Sequence, residues 1–281
     1  METLRAVVTG ASSGIGAATV RQLREQGWDV VAVARREDKL KALAEETGAD
    51  YIVADLTDDA EVEAMAAEVL RGGPVHSLVA NAGAAYGVDT IAESSVEGWK
   101  DMFDINVLGV LRVVKAILPA LIDSGRGDIV VMSSTAGHQA YEKGGGYVAT
   151  KHGSHTIAAT LRLELLGEPV RVIEIAPGMV ATEEFSLKRL GDAQKAAQVY
   201  EGVRIRSRPR TSPMPSSTRS PAPTTSTSTS WSSVPSPRPN STRWPATRGC
   251  DGRRPGRRPL APAALAVSGL QRSRRYTIEV R

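Results

Sequence analysis

Two side chains in this sequence are spaced so that a phenol could serve as an acid or base near neutral pH. Tyr147 and Lys151 stand four residues apart in the run YVATK, and on a helix that spacing places them on one face. A free tyrosine titrates near ~10, too high for a base at neutral pH. An ammonium about 4 Å away contributes on the order of 4 kcal/mol at an effective dielectric of 20, before desolvation takes part of it back. That attraction favours the phenolate and moves the group toward the range useful for proton transfer. Tyrosine and lysine also occur at this spacing on ordinary helices, so the pair needs company. Thirteen residues before the tyrosine, the apolar run VVM ends in Ser133-Ser134. A hydroxyl at the end of a strand, Ser134, can donate to a substrate oxygen while the phenol delivers or removes the proton. Asn106 falls inside a helical pattern, where asparagine is a poor helix former. It caps a kink, points to solvent, or holds a water that links the lysine to bulk.

A second constellation opens the chain. The first apolar run ends in TGASSGIG, which supplies Gly10, Ser12, Ser13, Gly14, Ile15 and Gly16. Glycines there permit a tight turn and close approach of backbone to a pyrophosphate, and the helix that follows offers it unpaired N–H groups. The spacing is G-x-x-x-G-x-G, not the G-x-G-x-x-G of most dinucleotide binders. The second apolar run reads VVAVARRED. An NAD binder usually carries an acid at its end to hold the ribose 2′-hydroxyl; here Ala34 stands in that place, followed by Arg35 and Arg36. Guanidinium forks suit a 2′-phosphate, which points to NADP. Two arginines starting a solvated helix are the plainer alternative.

These residues need a scaffold that brings strand ends together. Apolar runs at 4–9, 28–34, 51–54, 77–80, 128–132 and 170–176 alternate with helix-like patterns at 15–26, 39–46, 59–70, about 96–122, 147–166 and 183–200. Strands alternating with helices imply parallel βαβ units, and near-continuous apolar strands imply burial on both faces. The expected fold class is α/β, a doubly wound parallel sheet with helices on both faces. In such folds the ligand sits at the carboxyl ends of the strands, where every motif above falls.

Composition narrows the alternatives. The single cysteine, Cys250, excludes a disulfide framework within the chain. No charged-then-apolar leader opens the sequence and no apolar run is expected to reach membrane-span length, so a cytoplasmic protein without membrane partner is expected. His152 and His155 are three apart, but no acid or cysteine set accompanies them in sequence, so no metal site is expected.

The motifs taken together resemble the short-chain dehydrogenase/reductase family. TGASSGIG (9–16), Asp55, NAG (81–83), Asn106, Ser134, YVATK (147–151) and PGMVAT (177–182) follow that family's order, over residues 1 to about 203. The resemblance implies a Rossmann-type fold and hydride transfer between NADP and a primary or secondary alcohol or carbonyl. It implies Tyr147 as acid/base, Lys151 holding the nicotinamide ribose, Ser134 polarising the carbonyl and Asn106 completing a proton relay. It further implies adenine contacts from Asp55 and Leu56, cofactor contacts from Asn81, Ala82 and Gly83, and nicotinamide contacts from Pro177, Gly178, Val180 and Thr182. The family more often has two asparagines where this chain has Ala80-Asn81. SSTAGHQAY (133–141) and EEFSLKR (183–189) resemble bacterial NADP-dependent 3-hydroxy acid dehydrogenases, which makes Arg189 a candidate partner for a substrate carboxylate or a surface cation. Pairing through the helices near 96–122 and 147–166, as a homo-dimer or homo-tetramer, is implied too. The rival is a non-catalytic NADP-binding protein or an inactive truncated dehydrogenase.

Beyond this the sequence changes character. Residues 1–202 carry a net charge of −10, whereas 203–281 carry +14, rich in Arg, Ser, Thr and Pro. Such a segment reads as disordered, so residues 204–281 are expected to form no folded domain. A nucleic-acid role would need more than the three stacking residues Trp231, Trp244 and Tyr276, and no nucleic-acid partner is expected. Reading each codon from the third base of its predecessor turns TCN serines apolar. Ser212, Ser216, Ser217 and Ser220 then acquire helical spacing, and Ser226, Ser228 and Ser230 strand alternation. Low-complexity sequence has no reason to conceal two structural periods, so a frameshift between about 203 and 206 is expected, with weak stability and low or absent turnover for the chain as written.

Overall fold

The computed structural model describes residues 3–178 and Val180. Six strands, β1 (Arg5–Thr9), β2 (Asp29–Ala34), β3 (Asp50–Val53), β4 (Ser77–Ala80), β5 (Gly127–Met132) and β6 (Val170–Ile175), form one parallel sheet in the order β3-β2-β1-β4-β5-β6. The chain winds outward from β1 in one direction, then returns to add β4 on its other side. That reversal opens a crevice at the carboxyl ends of β1 and β4.

Alternate residues of each strand feed two separate cores. Val7, Val31, Val33, Leu78, Ile129 and Val131 point to one face, where they meet α3 (Asp59–Arg71), α5 (Gly109–Asp123) and α6 (Gly145–Glu164). Val8, Val30, Ala32, Val79 and Val130 point to the other, against α1 (Gly14–Glu25) and α2 (Glu37–Thr47). A strand buried on both sides has no solvated face, which is why the sequence shows apolar runs and not alternation. Helix ends are fixed locally: Asp58 accepts from Glu61 N at 3.0 Å and Ser95 from Gly98 N at 3.2 Å, while Gly48 ends α2 at φ 69°.

The long helix expected at 96–122 is present but not uniform. It begins as α4 (Val96–Phe103), passes through a π-helical turn at Asp104–Leu108 and resumes as α5. The whole run, Val96–Asp123, is long and apolar enough to cross a membrane, which corrects the expectation that no segment reaches that length. Its second half is a core helix: Val113, Val114, Ile117 and Leu121 are buried against the sheet side of the molecule. The helix expected at 183–200, Thr182, Arg189 and everything expected from 204 onward lie outside the described residues.

Candidate active site

The first turn of the site is a backbone cradle. Gly10 and Gly14 hold φ of 65° and 55°, a region that side chains with a Cβ rarely adopt. Gly16 is demanded by space: a Cβ there would sit 2.3 Å from Gly10 O. Asn81 braces the cradle from β4, its Nδ2 donating to Thr9 O at 2.9 Å and Gly10 O at 3.3 Å. Its side chain therefore positions the glycine turn. The first turn of α1 carries no acid, so its N-terminal partial positive charge faces the cradle unopposed by a local carboxylate.

The two arginines after β2 part company. Arg36 lies over the cradle, Nη2 donating to Ser12 Oγ at 2.8 Å and Ser13 Oγ at 3.0 Å. Arg35 turns to Asp55, with Nη1 3.3 Å from Oδ2. Burial pushes the Asp55 carboxyl up, but hydrogen bonds from Thr57 and the Arg35 guanidinium outweigh it and hold it below the usual range. Ala34, where an NAD binder would carry an acid, is buried.

The reacting constellation gathers around the start of α6. Gly145 and Gly146 let α4 press against that turn; a Cβ at 146 would meet Met102 Cε at 2.4 Å. Tyr147 follows, and Lys151 Nζ lies 5.8 Å from its ring centroid. Lys151 is buried and donates to Met132 O at 2.8 Å. Burial lowers its pKa from 10.5 to about 8, because a desolvated ammonium loses hydration that one carbonyl replaces only in part. Ser134 caps a short 3-10 turn, Thr135–Gly137; its Oγ accepts from Ala136 N at 3.2 Å and donates to Pro177 O at 3.4 Å.

Asn106 sits in the π-helical turn, fully buried. Its Oδ1 accepts from Ala84 N at 2.9 Å, and its Nδ2 donates to Ala84 O at 2.8 Å and Thr150 Oγ1 at 3.1 Å. Its carbonyl accepts from Ser154 Oγ at 2.8 Å. The residue therefore ties the loop after β4 to α6. Solvent exposure is excluded, and the irregularity expected of a mid-helix asparagine takes the form of a wide turn, as is frequent at functional sites. Gly83 lies against this knot: a Cβ would come 2.6 Å from Asn106 Oδ1 and 3.6 Å from Lys151 Nζ.

One cleft of about 1040 Å³ joins both halves. Its walls include Gly10, Ser12, Ser13, Gly14 and Ile15 from the cradle, Arg35, Arg36, Asp55 and Leu56 from the next two strand ends, and Asn81, Ala82 and Gly83 after β4. Ser134, Tyr147, Lys151, Pro177, Gly178 and Val180 close the other end. Gly16 and Asn106 stand behind this surface in supporting positions. Glycine cradle, arginine fork and volume together fit a phosphorylated dinucleotide. Tyr147 also lines a smaller cavity of about 220 Å³ with Tyr86, Trp99 and Met102.

Sequence reasoning missed two features. Thr150, one residue before Lys151, is the buried partner of Asn106; its place inside YVATK was the available signal. It also left His155 without an acid, whereas Glu174 and His138 both approach that imidazole. No local pattern joins residues so far apart in sequence.

The short chain dehydrogenase family profile matches residues 5–191. The chain is 56% identical over 199 residues to an uncharacterized oxidoreductase of Mycobacterium tuberculosis (strain ATCC 25618 / H37Rv), covering 70% of this chain and 78% of that protein. It is 37% identical over 201 residues to the NADP-dependent 3-hydroxy acid dehydrogenase YdfG of Escherichia coli (strain K12), covering 69% and 80%. Among solved structures, the closed form of serine dehydrogenase complexed with NADP+ superposes with a TM-score of 0.68 at 35% identity, covering 73% of this chain and 84% of that one. With the glycine cradle, the Ser134/Tyr147/Lys151 group and the sheet order all in agreement, the chain belongs to the short chain dehydrogenase family of oxidoreductases.

Proposed function

We propose that this protein is an NADP-dependent oxidoreductase acting on a small alcohol or carbonyl compound, with 3-hydroxy acids of the serine type as the leading substrate class. The observation that carries the cofactor reading is Arg36, held by Ser12 and Ser13 above the glycine cradle where a 2′-phosphate would need a charge-assisted donor. Relatives named for NADP and for 3-hydroxy acid or serine oxidation support it. NADP, when bound, supplies or accepts the hydride. Asp55 and Leu56 would line its adenine, and Pro177, Gly178, Val180 and Thr182 its nicotinamide. Tyr147 exchanges the proton at the substrate oxygen, and Ser134 Oγ, turning from Pro177 O, donates to that same oxygen. Lys151 keeps a positive charge beside the phenol and so favours its ionised form. Asn106 acts through structure, fixing the turn on which Lys151 and Gly83 meet.

Exposed Val96, Phe103, Leu108 and Leu111 on the 96–123 helix support association of subunits through that face as a homo-dimer or homo-tetramer, and a cytoplasmic enzyme is the accompanying expectation. Residues 1–203 are read as the dehydrogenase domain and 204–281 as translated out of frame; about a fifth of each relative's length lies outside the matched region, room for the elements that this chain's tail would encode in frame. Sequencing across codons 200–210, with an intact mass of the native protein, tests it. Tyr147→Phe tests the activity: with NADPH and a panel of short aldehydes and hydroxy acids, turnover should fall at least about a hundredfold while NADPH still binds. A variant turning over like the parent would remove the enzyme reading and leave a cofactor-binding protein.

A further inference from the structure

Behind the cleft, three segments converge on one carboxylate. Glu174 extends from β6, opposite Val131 of β5, and its side chain is only 9% exposed. His138, just past the turn that Ser134 caps, brings Nε2 to 3.1 Å from Glu174 Oε1. His155, one helical turn beyond Lys151 on α6, brings Nδ1 to 2.9 Å from Oε2 and 3.1 Å from Oε1. The imidazoles meet edge to face with centroids 4.4 Å apart, and one ligating atom from each residue lies within 4.8 Å of the others. Atoms sharing a tetrahedral zinc with bonds of about 2.0–2.2 Å stand about 3.4 Å apart; the two imidazole–carboxylate contacts already lie near that spacing, and the imidazole nitrogens, within 4.8 Å of each other, reach it by side-chain rotation. The carboxylate forms a buried floor and the half-exposed imidazoles a rim, which leaves a fourth position facing water.

We propose that His138, His155 and Glu174 form a binding site for one divalent transition-metal ion of the zinc class. Two imidazoles and a carboxylate suit zinc, nickel or copper, whereas magnesium and calcium prefer all-oxygen shells. Burial pushes the Glu174 carboxyl up, yet the hydrogen bond from His155 and the charge of the nearby imidazoles hold it below the usual carboxylate range. Arg162 Nη1, 4.0 Å from Oε2, is the opposing cation, and a metal at bonding distance lies about half as far from that oxygen. The ion would clasp the Ser134 turn, α6 and β6 together from the rear, stabilising the segments that carry Ser134, Tyr147, Lys151 and Pro177 without entering the reaction. This site does not depend on the substrate or cofactor assignment.

The full-length protein, stripped with a chelator, is titrated with ZnCl2 by calorimetry and with CoCl2 by visible absorption, and its thermal unfolding is followed with and without ZnCl2. One equivalent of Zn2+ should bind, Co2+ should develop the bands of a four-coordinate N/O site, and the unfolding midpoint should rise with Zn2+ but not with MgCl2. His138→Gln and His155→Gln should each weaken Zn2+ binding at least about tenfold. His152→Gln, on the same helix but bonded to Val148 O, should bind as the parent does. His138 is a half-exposed loop residue, so its variant keeps the fold and the loss is read as a lost ligand. Absence of binding in the parent, or equal binding in the parent and both cluster variants, would overturn the proposal.

Discussion

Lys151 makes a prediction that separates stability from catalysis. Its ammonium is buried and donates to Met132 O at 2.8 Å, and its pKa falls from 10.5 to about 8. At 1.36 kcal/mol per unit, that difference means about 3 kcal/mol of destabilisation of the folded state below pH 8. Lys151→Met replaces the cation with an apolar side chain of similar length. It removes the penalty and forfeits about 1 kcal/mol for the carbonyl left without its donor. The cofactor-free variant should therefore be about 2 kcal/mol more stable than the parent near pH 7, a shift of roughly 1 M in the urea midpoint, while turnover is lost. The pH dependence carries the sign. Between pH 8 and 10.5 the unfolded chain still binds the proton that the folded chain has released, so parental stability rises with pH through that window. The variant's advantage should shrink over the same range and turn into a deficit of about 1 kcal/mol above it, the cost of the unsatisfied carbonyl. Urea titrations of both proteins near pH 7 and near pH 10 measure this. A variant less stable than the parent at neutral pH, or two proteins whose stabilities change in parallel with pH, would refute the reasoning that burial dominates this lysine.

Arg36→Ala should raise the KM for NADPH about ten- to a hundredfold, the worth of a charge-assisted hydrogen bond, and leave NADH kinetics nearly unchanged; steady-state kinetics with both cofactors check this, and parallel losses would mean that Arg36 supports the loop alone. Gly83→Ala places a methyl 2.6 Å from Asn106 Oδ1 and should cost about 1–3 kcal/mol of stability through overpacking, read by chemical denaturation. The same methyl combined with Asn106→Ala should cost much less than the two changes summed.

What the sequence made legible was whatever depends on neighbours along the chain. Gly10, Gly14 and Gly16 declare a cradle because the turn's backbone requires them, and Tyr147 and Lys151 declare a pair because helical spacing alone brings them together. The six strands were readable because burial on both faces leaves no polar alternation to confuse them. The π-helical turn was not, since the run GVLRVVKAILPALI is apolar around most of the helix and hides a one-residue slip of phase; only Asn106 hinted at it. Arg35 and Arg36 looked equivalent, and their divergence toward Asp55 and the cradle serines depends on the path of β3 and α1. The cluster at Glu174 unites three segments 17 to 36 residues apart, and its composition became visible only once β6 lay beside β5.

The wide turn at 104–108 has a consequence for how this chain can change. In a regular helix, deleting one residue rotates everything downstream by about 100°. Such a deletion here would turn Val110, Val113, Val114, Ile117 and Leu121 off the sheet and carry Asn106 away from Ala84 and Thr150 at the same stroke. The bulge is thus a phase setting shared by the hydrophobic interior and the catalytic wall. Mutation can alter either side of that bargain one residue at a time, but the helix cannot be straightened without dismantling both.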